Sequence, residues 1–195
     1  MRLFAMLTTA IALTLAGATF AETQAPSTSS TSDAPDQAKA LISDFTTRLQ
    51  SELKSALKAG GPVTAVRVCK EEAPEIGASL SEQSGWQVGR TSLKTRNPDN
   101  DPNAWEKQVL QQFEQRKAAG TPVAELYYAE VVEDNGDKTY RYMKAIPTGE
   151  VCLVCHGSDL SPELVETLDK AYPEDQARGF ELGDIRGAFT LSKPL

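Results

Sequence analysis

Apolar residues recur at three- and four-residue steps over residues 36–59: Ala38, Leu41, Ile42, Phe45, Leu49, Leu53, Ala56 and Leu57. That period lays one apolar stripe along an α-helix, so the segment is read as a long N-terminal helix. Gly60-Gly61-Pro62 ends it, because glycine accepts a left-handed cap and proline cannot continue the ladder. A shorter helix follows, holding Val63, Val66, Val68 and Cys69 and interrupted at Pro74 or Gly77. Trp105, Val109, Leu110 and Phe113 mark a third helix, closed by Gly120. Residues 161–177 are helical in composition and break near Pro173.

Between these helices the chain turns β-rich. Residues 86–93 (WQVGRTSL), 124–133 (AELYYAEVVE), 138–146 (KTYRYMKAI) and 185–192 (IRGAFTLS) read as strands. Asp134-Asn135-Gly136-Asp137 lies between the middle two, and Asn-Gly is a strong hairpin signal. Helices first, then a hairpin, then a helix and a strand, predict an α+β fold: an antiparallel sheet with helices on one side.

The first 35 residues follow neither period. Arg2 precedes an uncharged apolar run over residues 3–17, and Ala18-Thr19-Phe20-Ala21 puts small residues before Glu22. This is the layout of a signal peptide, residues 1–21, cleaved after Ala21, with Ala16-Gly17-Ala18 as a second cleavage site. A membrane anchor would need about 20 apolar residues, more than this run supplies. No other stretch is apolar enough to span a membrane, so the mature protein is expected to be exported, periplasmic and without a membrane span. Residues 22–35 (ETQAPSTSSTSDAP) carry no large apolar side chain and read as a flexible leader. The folded domain is therefore expected over residues 36–195, and a chain of 195 residues has room for one ordinary domain.

Composition narrows the chemistry. A net charge of −7 argues against a nucleic-acid partner, which would require basic patches to neutralise phosphate. The chain has a single His, which excludes multi-His metal sites, and three Cys, which cannot all pair within the chain.

Cys152-Leu153-Val154-Cys155-His156 is C-x-x-C-H, which in an exported protein is the signature of c-type haem attachment. Two cysteines three apart reach two vinyl groups from one helical turn, and the adjacent histidine turns to the iron. Three other readings exist. A thioredoxin-like pair would sit early in a βαβ unit rather than after a late hairpin. A zinc site would need four ligands, and adjacent Cys155 and His156 chelate one tetrahedral ion poorly. A disulfide between Cys152 and Cys155 leaves His156 unexplained.

The second axial position cannot be another His. Cys69 and Met143, the sole Met beyond the signal peptide, are the candidates. Ligation would occupy an otherwise unpaired thiol; a buried structural thiol and an intermolecular disulfide are the alternatives for Cys69.

Several stretches resemble a family of exported single-haem c-type proteins with a PAS-like fold, known as a domain of unknown function. They are Val66-Arg67-Val68-Cys69-Lys70, residues 89–98 (GRTSLKTRNP), Asn103-Ala104-Trp105-Glu106, Tyr142-Met143-Lys144-Ala145-Ile146-Pro147, the haem motif through Gly157, and residues 183–190 (GDIRGAFT). The Arg-Asn-Pro stretch and the haem motif are the specific parts. The resemblance implies a PAS-like antiparallel sheet flanked by helices, with His156 and Cys69 on opposite sides of the iron.

A thiolate ligand stabilises ferric iron and lowers the reduction potential. Arg90, Lys94 and Arg96 are candidates to meet the haem propionates, since arginine suits carboxylates. Trp86, Trp105, Tyr127, Tyr142 and Phe189 could line the pocket or form ordinary core. These features point to a redox or ligand sensor, or an electron carrier, working with a separate redox or signalling partner protein. A peroxidase-like enzyme and a non-haem C-x-x-C protein are the alternatives; the first needs an open sixth position and a distal acid–base group.

Overall fold

The first helix sets the frame. In the structure, a computed structural model that describes residues 31–195, a 3₁₀ turn (Thr31–Asp33) leads into α1 (Ala34–Arg67). The expected signal peptide, residues 1–21, and residues 22–30 of the expected leader lie outside the described residues. Helix α1 starts two residues before the apolar stripe predicts. Pro35 occupies the first turn, where its missing N–H costs nothing, and Ala34 is buried in the core.

Gly60 and Gly61 break the helical geometry as expected, with Gly61 at φ 70°, but the helix resumes at once from Pro62. Pro74 and Gly77 do not interrupt it. A π turn (Val68–Glu72) absorbs the change of register, with the Ala73 N–H donating to the Val68 carbonyl. Pro74 then falls in the first turn of α2 (Ala73–Ser84), where no N–H is required of it. Gly77 stays because a Cβ there would come within 3.1 Å of the Val88 carbonyl.

Four antiparallel strands form one sheet in the order β1-β4-β3-β2: β1 (Gln87–Thr91), β2 (Tyr127–Asp134), β3 (Asp137–Pro147) and β4 (Ile185–Pro194). The β2–β3 hairpin closes on Asn135 and Gly136, both at positive φ, the backbone that a two-residue hairpin turn demands. Residues 124–126 are not strand: Val123–Glu125 form a 3₁₀ turn before β2.

Side chains alternate across the sheet, and each set finds its own core. Tyr140, Tyr142, Phe189 and Leu191 pack under Phe45 and Ile42 of α1 and Leu80 of α2. Met143, Ala145 and Ala188 pack on the other face against Val109, Leu110 and Phe113 of α3 (Ala104–Ala118). Both faces of the sheet are therefore covered, where element order alone suggested one. Strands β3 and β4 contribute side chains to both cores and so tie the two sets of helices together.

One irregularity matters below. Ile146 pairs with Gly187 and Pro147 with Ile185, so Arg186 is the extra residue of a β-bulge. Ile185 and Ala188, three residues apart, consequently share the α3 face of the sheet. Gly187 permits this close approach: a Cβ there would lie 2.3 Å from the Thr91 carbonyl. A third cluster joins the end of α1 to α5 (Pro162–Ala171) through Val66, Leu164, Leu168 and Tyr172, with Cys155 packed against it.

Candidate functional site

The C-x-x-C-H residues form α4 (Glu150–His156), a helix of seven residues that leaves the end of β3. Its approach is clamped by backbone bonds: the Thr148 N–H donates to Asp184, and the Gly183 N–H donates to Thr148. Cys152 and Cys155 are three apart, hence on one helical face. Gly149 donates its N–H to Cys152 Sγ at 3.4 Å. Gly157 ends the helix, and a side chain there would collide with the Leu153 carbonyl at 2.7 Å.

All three cysteines are free and half-buried. Cys69 sits in the π turn, a distortion that recurs at functional sites. The fold brings it beside α4: burial pushes the Cys155 thiol up, and charge on Cys69 pushes it further. Residues 69 and 155 are thus near enough for the charge of one to act on the other, although the chain between them runs through α2, three strands and α3.

His156 has a defined protonation pattern. Its Nδ1 lies 2.7 Å from the Ala177 carbonyl, which can only accept, so Nδ1 carries the proton. Burial holds the ring well below its ordinary pKa, and the charges of Arg186 and Arg96 lower it further. A neutral ring with Nδ1–H leaves the Nε2 lone pair for a metal, the arrangement that metal-bound histidines adopt. The Phe180 ring stands edge-on to it, with centroids 6.1 Å apart.

The three basic candidates part company. Arg96 is buried and already committed. Its Nε donates to Asp175 Oδ1 at 3.0 Å, and its Nη2 donates to the carbonyls of Cys155 at 2.7 Å and Ala177 at 3.1 Å. Arg96 thus spends Nε and Nη2 on protein partners. Lys94 lies over the Phe180 ring at 5.4 Å. Arg90 lies over Phe45 at 5.2 Å, and no described carboxylate is within ion-pair distance of it. Burial lowers its pKa, while charge on Cys69 opposes the shift.

Sequence reading missed Arg186. The bulge turns this residue toward the same site, where burial first and then the charges of Arg96 and Arg90 push its guanidinium down to about 10. It lies over Phe180 at 5.2 Å and makes long bonds to Ser92 Oγ and the Lys94 carbonyl. It too lacks a carboxylate partner among the described residues. Its only sequence signal was its place in the stretch 183–190. Asp175 was missed as well; it takes Arg96 on one oxygen and Arg178 on the other.

Met143 is 0% exposed in the core beneath α3, among Val109, Leu110 and Phe113, and is spent on packing there. Trp86, Tyr142 and Phe189 belong to the α1 core, Trp105 packs against the α3 core, and Tyr127 is exposed. No group of three or more His, Cys, Asp or Glu side chains among the described residues is arranged to hold one metal ion. No described helix is long and apolar enough to cross a membrane.

Comparison with known proteins adds two findings. A model of the family described as Tll0287-like matches residues 20–194. The crystal structure of the cyanobacterial haem protein Tll0287 is similar over 85% of this chain and 97% of its own, with a TM-score of 0.65 at 21% identity, which is a likeness of fold. No curated protein matches.

Proposed function

The chain belongs to the Tll0287-like family, and on that premise we propose that it is an exported single-haem c-type protein serving redox or ligand sensing, or electron transfer. One observation carries the reading: the neutral His156, held by its Nδ1–H on the Ala177 carbonyl, presents Nε2 from the same short helix that carries Cys152 and Cys155. The residues fit the group. Each of the two thiols would add across a vinyl group, the S–H becoming C–S and C–H with no change of oxidation state. His156 would hold the iron through Nε2, and Cys69 in the π turn would supply a second ligand. Arg90 and Arg186, cations without carboxylates, would meet the propionates.

Bound there, the haem supplies a one-electron iron couple. The chain does the rest. Cys69 as thiolate would favour the ferric state and a low potential, whereas Met143 would raise it. Ala177 fixes the tautomer of His156. Leu164, Leu168 and Tyr172 keep water from the Cys155 side. A separate redox or signalling partner protein would receive the electron or the signal.

The test is a pyridine haemochrome assay on protein purified from the periplasm, followed by spectra of wild type and Cys69→Ser. One covalent haem per chain, low-spin in the wild type and with altered ligation in Cys69→Ser, is expected. Absence of covalent haem would defeat the reading. An unchanged Cys69→Ser spectrum would remove Cys69 as ligand.

A further inference from the structure

The Ala177 carbonyl receives two donors. His156 Nδ1–H reaches it at 2.7 Å and Arg96 Nη2 at 3.1 Å. The preceding peptide unit is held as well, because Asp175 Oδ1 accepts the Ala177 N–H at 2.9 Å. Asp175 in turn fixes Arg96 through Nε. The Arg96 side chain is 6% exposed and that of Asp175 is 1% exposed, so solvent does not compete for these bonds. Nη2 also holds the carbonyl of Cys155, one of the last-turn acceptors that α4 cannot satisfy itself. Backbone bonds close the frame: Gln176 donates to Thr95, Phe180 to His156, and Gly179 to Gly157.

We infer that Arg96 is a positioning residue for His156, acting through the Ala177 carbonyl to set how strongly the ring donates to iron. The inference rests on the haem reading above.

The physical reason is competition for one acceptor. A guanidinium hydrogen bond is charge-assisted and draws electron density from the carbonyl oxygen. The oxygen then accepts the Nδ1–H less strongly. A weaker Nδ1–H bond leaves the imidazole less anionic, and Nε2 less basic toward the iron. Arg96 therefore moderates the donor strength of His156, and its charge in this buried fork also disfavours the ferric state. Loss of Arg96 releases the carbonyl to His156, strengthens the Nδ1–H bond and lowers the reduction potential.

Charge alone would give part of the same result, so the variants must separate them. Arg96→Gln removes both charge and fork. Arg96→Lys keeps the charge but cannot bond Asp175, Cys155 and Ala177 in the planar geometry of the fork. The measurements are haem content by pyridine haemochrome, the reduction potential, and the His156 Nδ1–H resonance in a diamagnetic ferrous form. The chain has one His, so histidine-selective ¹⁵N labelling of untagged protein assigns the resonance outright.

The expected result is full haem attachment in both variants, an Nδ1–H proton shifted downfield in both, and a potential that falls in Arg96→Lys as well as in Arg96→Gln. A wild-type resonance and potential in Arg96→Lys would reduce the role of Arg96 to through-space charge and overturn the inference. An unmoved resonance alongside lower stability, or failure of both variants to mature, would make Arg96 a structural latch only and overturn it equally. Wild-type protein without covalent haem would instead defeat the haem reading itself, which the haemochrome assay registers before any variant is compared.

Discussion

Two sets of cations flank the C-x-x-C-H helix, and the fold treats them differently. On the His156 side, Arg96 and Arg178 share Asp175, and Asp169 reaches Arg178 from the surface. Arg90, close enough to Cys69 to feel its charge, and Arg186, over the ring that stands edge-on to His156, instead rest on Phe45 and Phe180 and have no carboxylate partner among the described residues. Arg96, Arg90 and Arg186 are each largely withdrawn from water, which costs free energy for any cation, while Arg178 stays partly solvated. One set is compensated within the chain. The other is compensated only if an anion arrives. The contrast is what supports the proposed propionate role of Arg90 and Arg186.

The largest predicted effect breaks the compensated side. Asp175→Ala strands Arg96 without its counter-ion in a buried position. Removing one partner of a buried pair typically costs about 3–5 kcal/mol, and chemical denaturation of the purified protein measures it. A loss well under 1 kcal/mol would show that Cys155 and Ala177 alone satisfy Arg96.

The uncompensated side should respond with opposite signs in two states. In the holoprotein, Arg186→Leu is expected to cost roughly 1–3 kcal/mol, the usual loss when a charged acceptor is left unmet. In a Cys152→Ser/Cys155→Ser background that cannot attach haem, the same change should be neutral or stabilising, because it removes a cation the fold does not pair. Equal losses in both backgrounds would assign Arg186 to packing over Phe180 and its bonds to Ser92 and Lys94.

Acid sharpens the same contrast. Burial alone would raise the Asp175 carboxyl, but hydrogen bonds from Arg96, from Arg178 and from the Ala177 N–H outweigh it and hold the group below its ordinary value. A carboxyl with a depressed folded pKa contributes stability above its unfolded pKa, ~3.9, and loses it as pH falls through the lower folded value. Wild-type stability should therefore drop more steeply below about pH 4 than that of Asp175→Asn. Parallel acid profiles would mean that Asp175 is not the group being titrated.

What the sequence revealed, and what it hid, follows the same division. Local signals were readable: the apolar stripe of α1, the Asn135-Gly136 turn, and the spacing of Cys152, Cys155 and His156 each lie within a few residues. The π turn was not, because a proline and a glycine in a helical stretch look like breakers until a register change places Pro74 in a first turn. Arg96 was read as a propionate partner since nothing nearby in sequence competes for it; its carboxylate stands 79 residues away. Arg186 was overlooked because strand alternation predicts its direction only if no residue is inserted, and the bulge at Ile146/Pro147 inserts it. Pairing across the fold, not residue type, decided which arginine is committed.

The smallest effect tests whether the compensated network is strong by number or by burial. Asp169 is the outermost member: its side chain is 62% exposed, and its partner Arg178 retains Asp175 without it. An exposed ion pair contributes about 0.2–1 kcal/mol, because water screens the attraction and both side chains lose freedom. Asp169→Asn should therefore fall at the bottom of that range and leave the His156 Nδ1–H resonance where it is. Denaturation measures the first and ¹⁵N-selective spectra the second. If Asp169→Asn instead approached the cost of Asp175→Ala, the network would act as one cooperative chain from the surface to Ala177. Burial at Asp175 and exposure at Asp169 would then no longer separate an anchor from a rim.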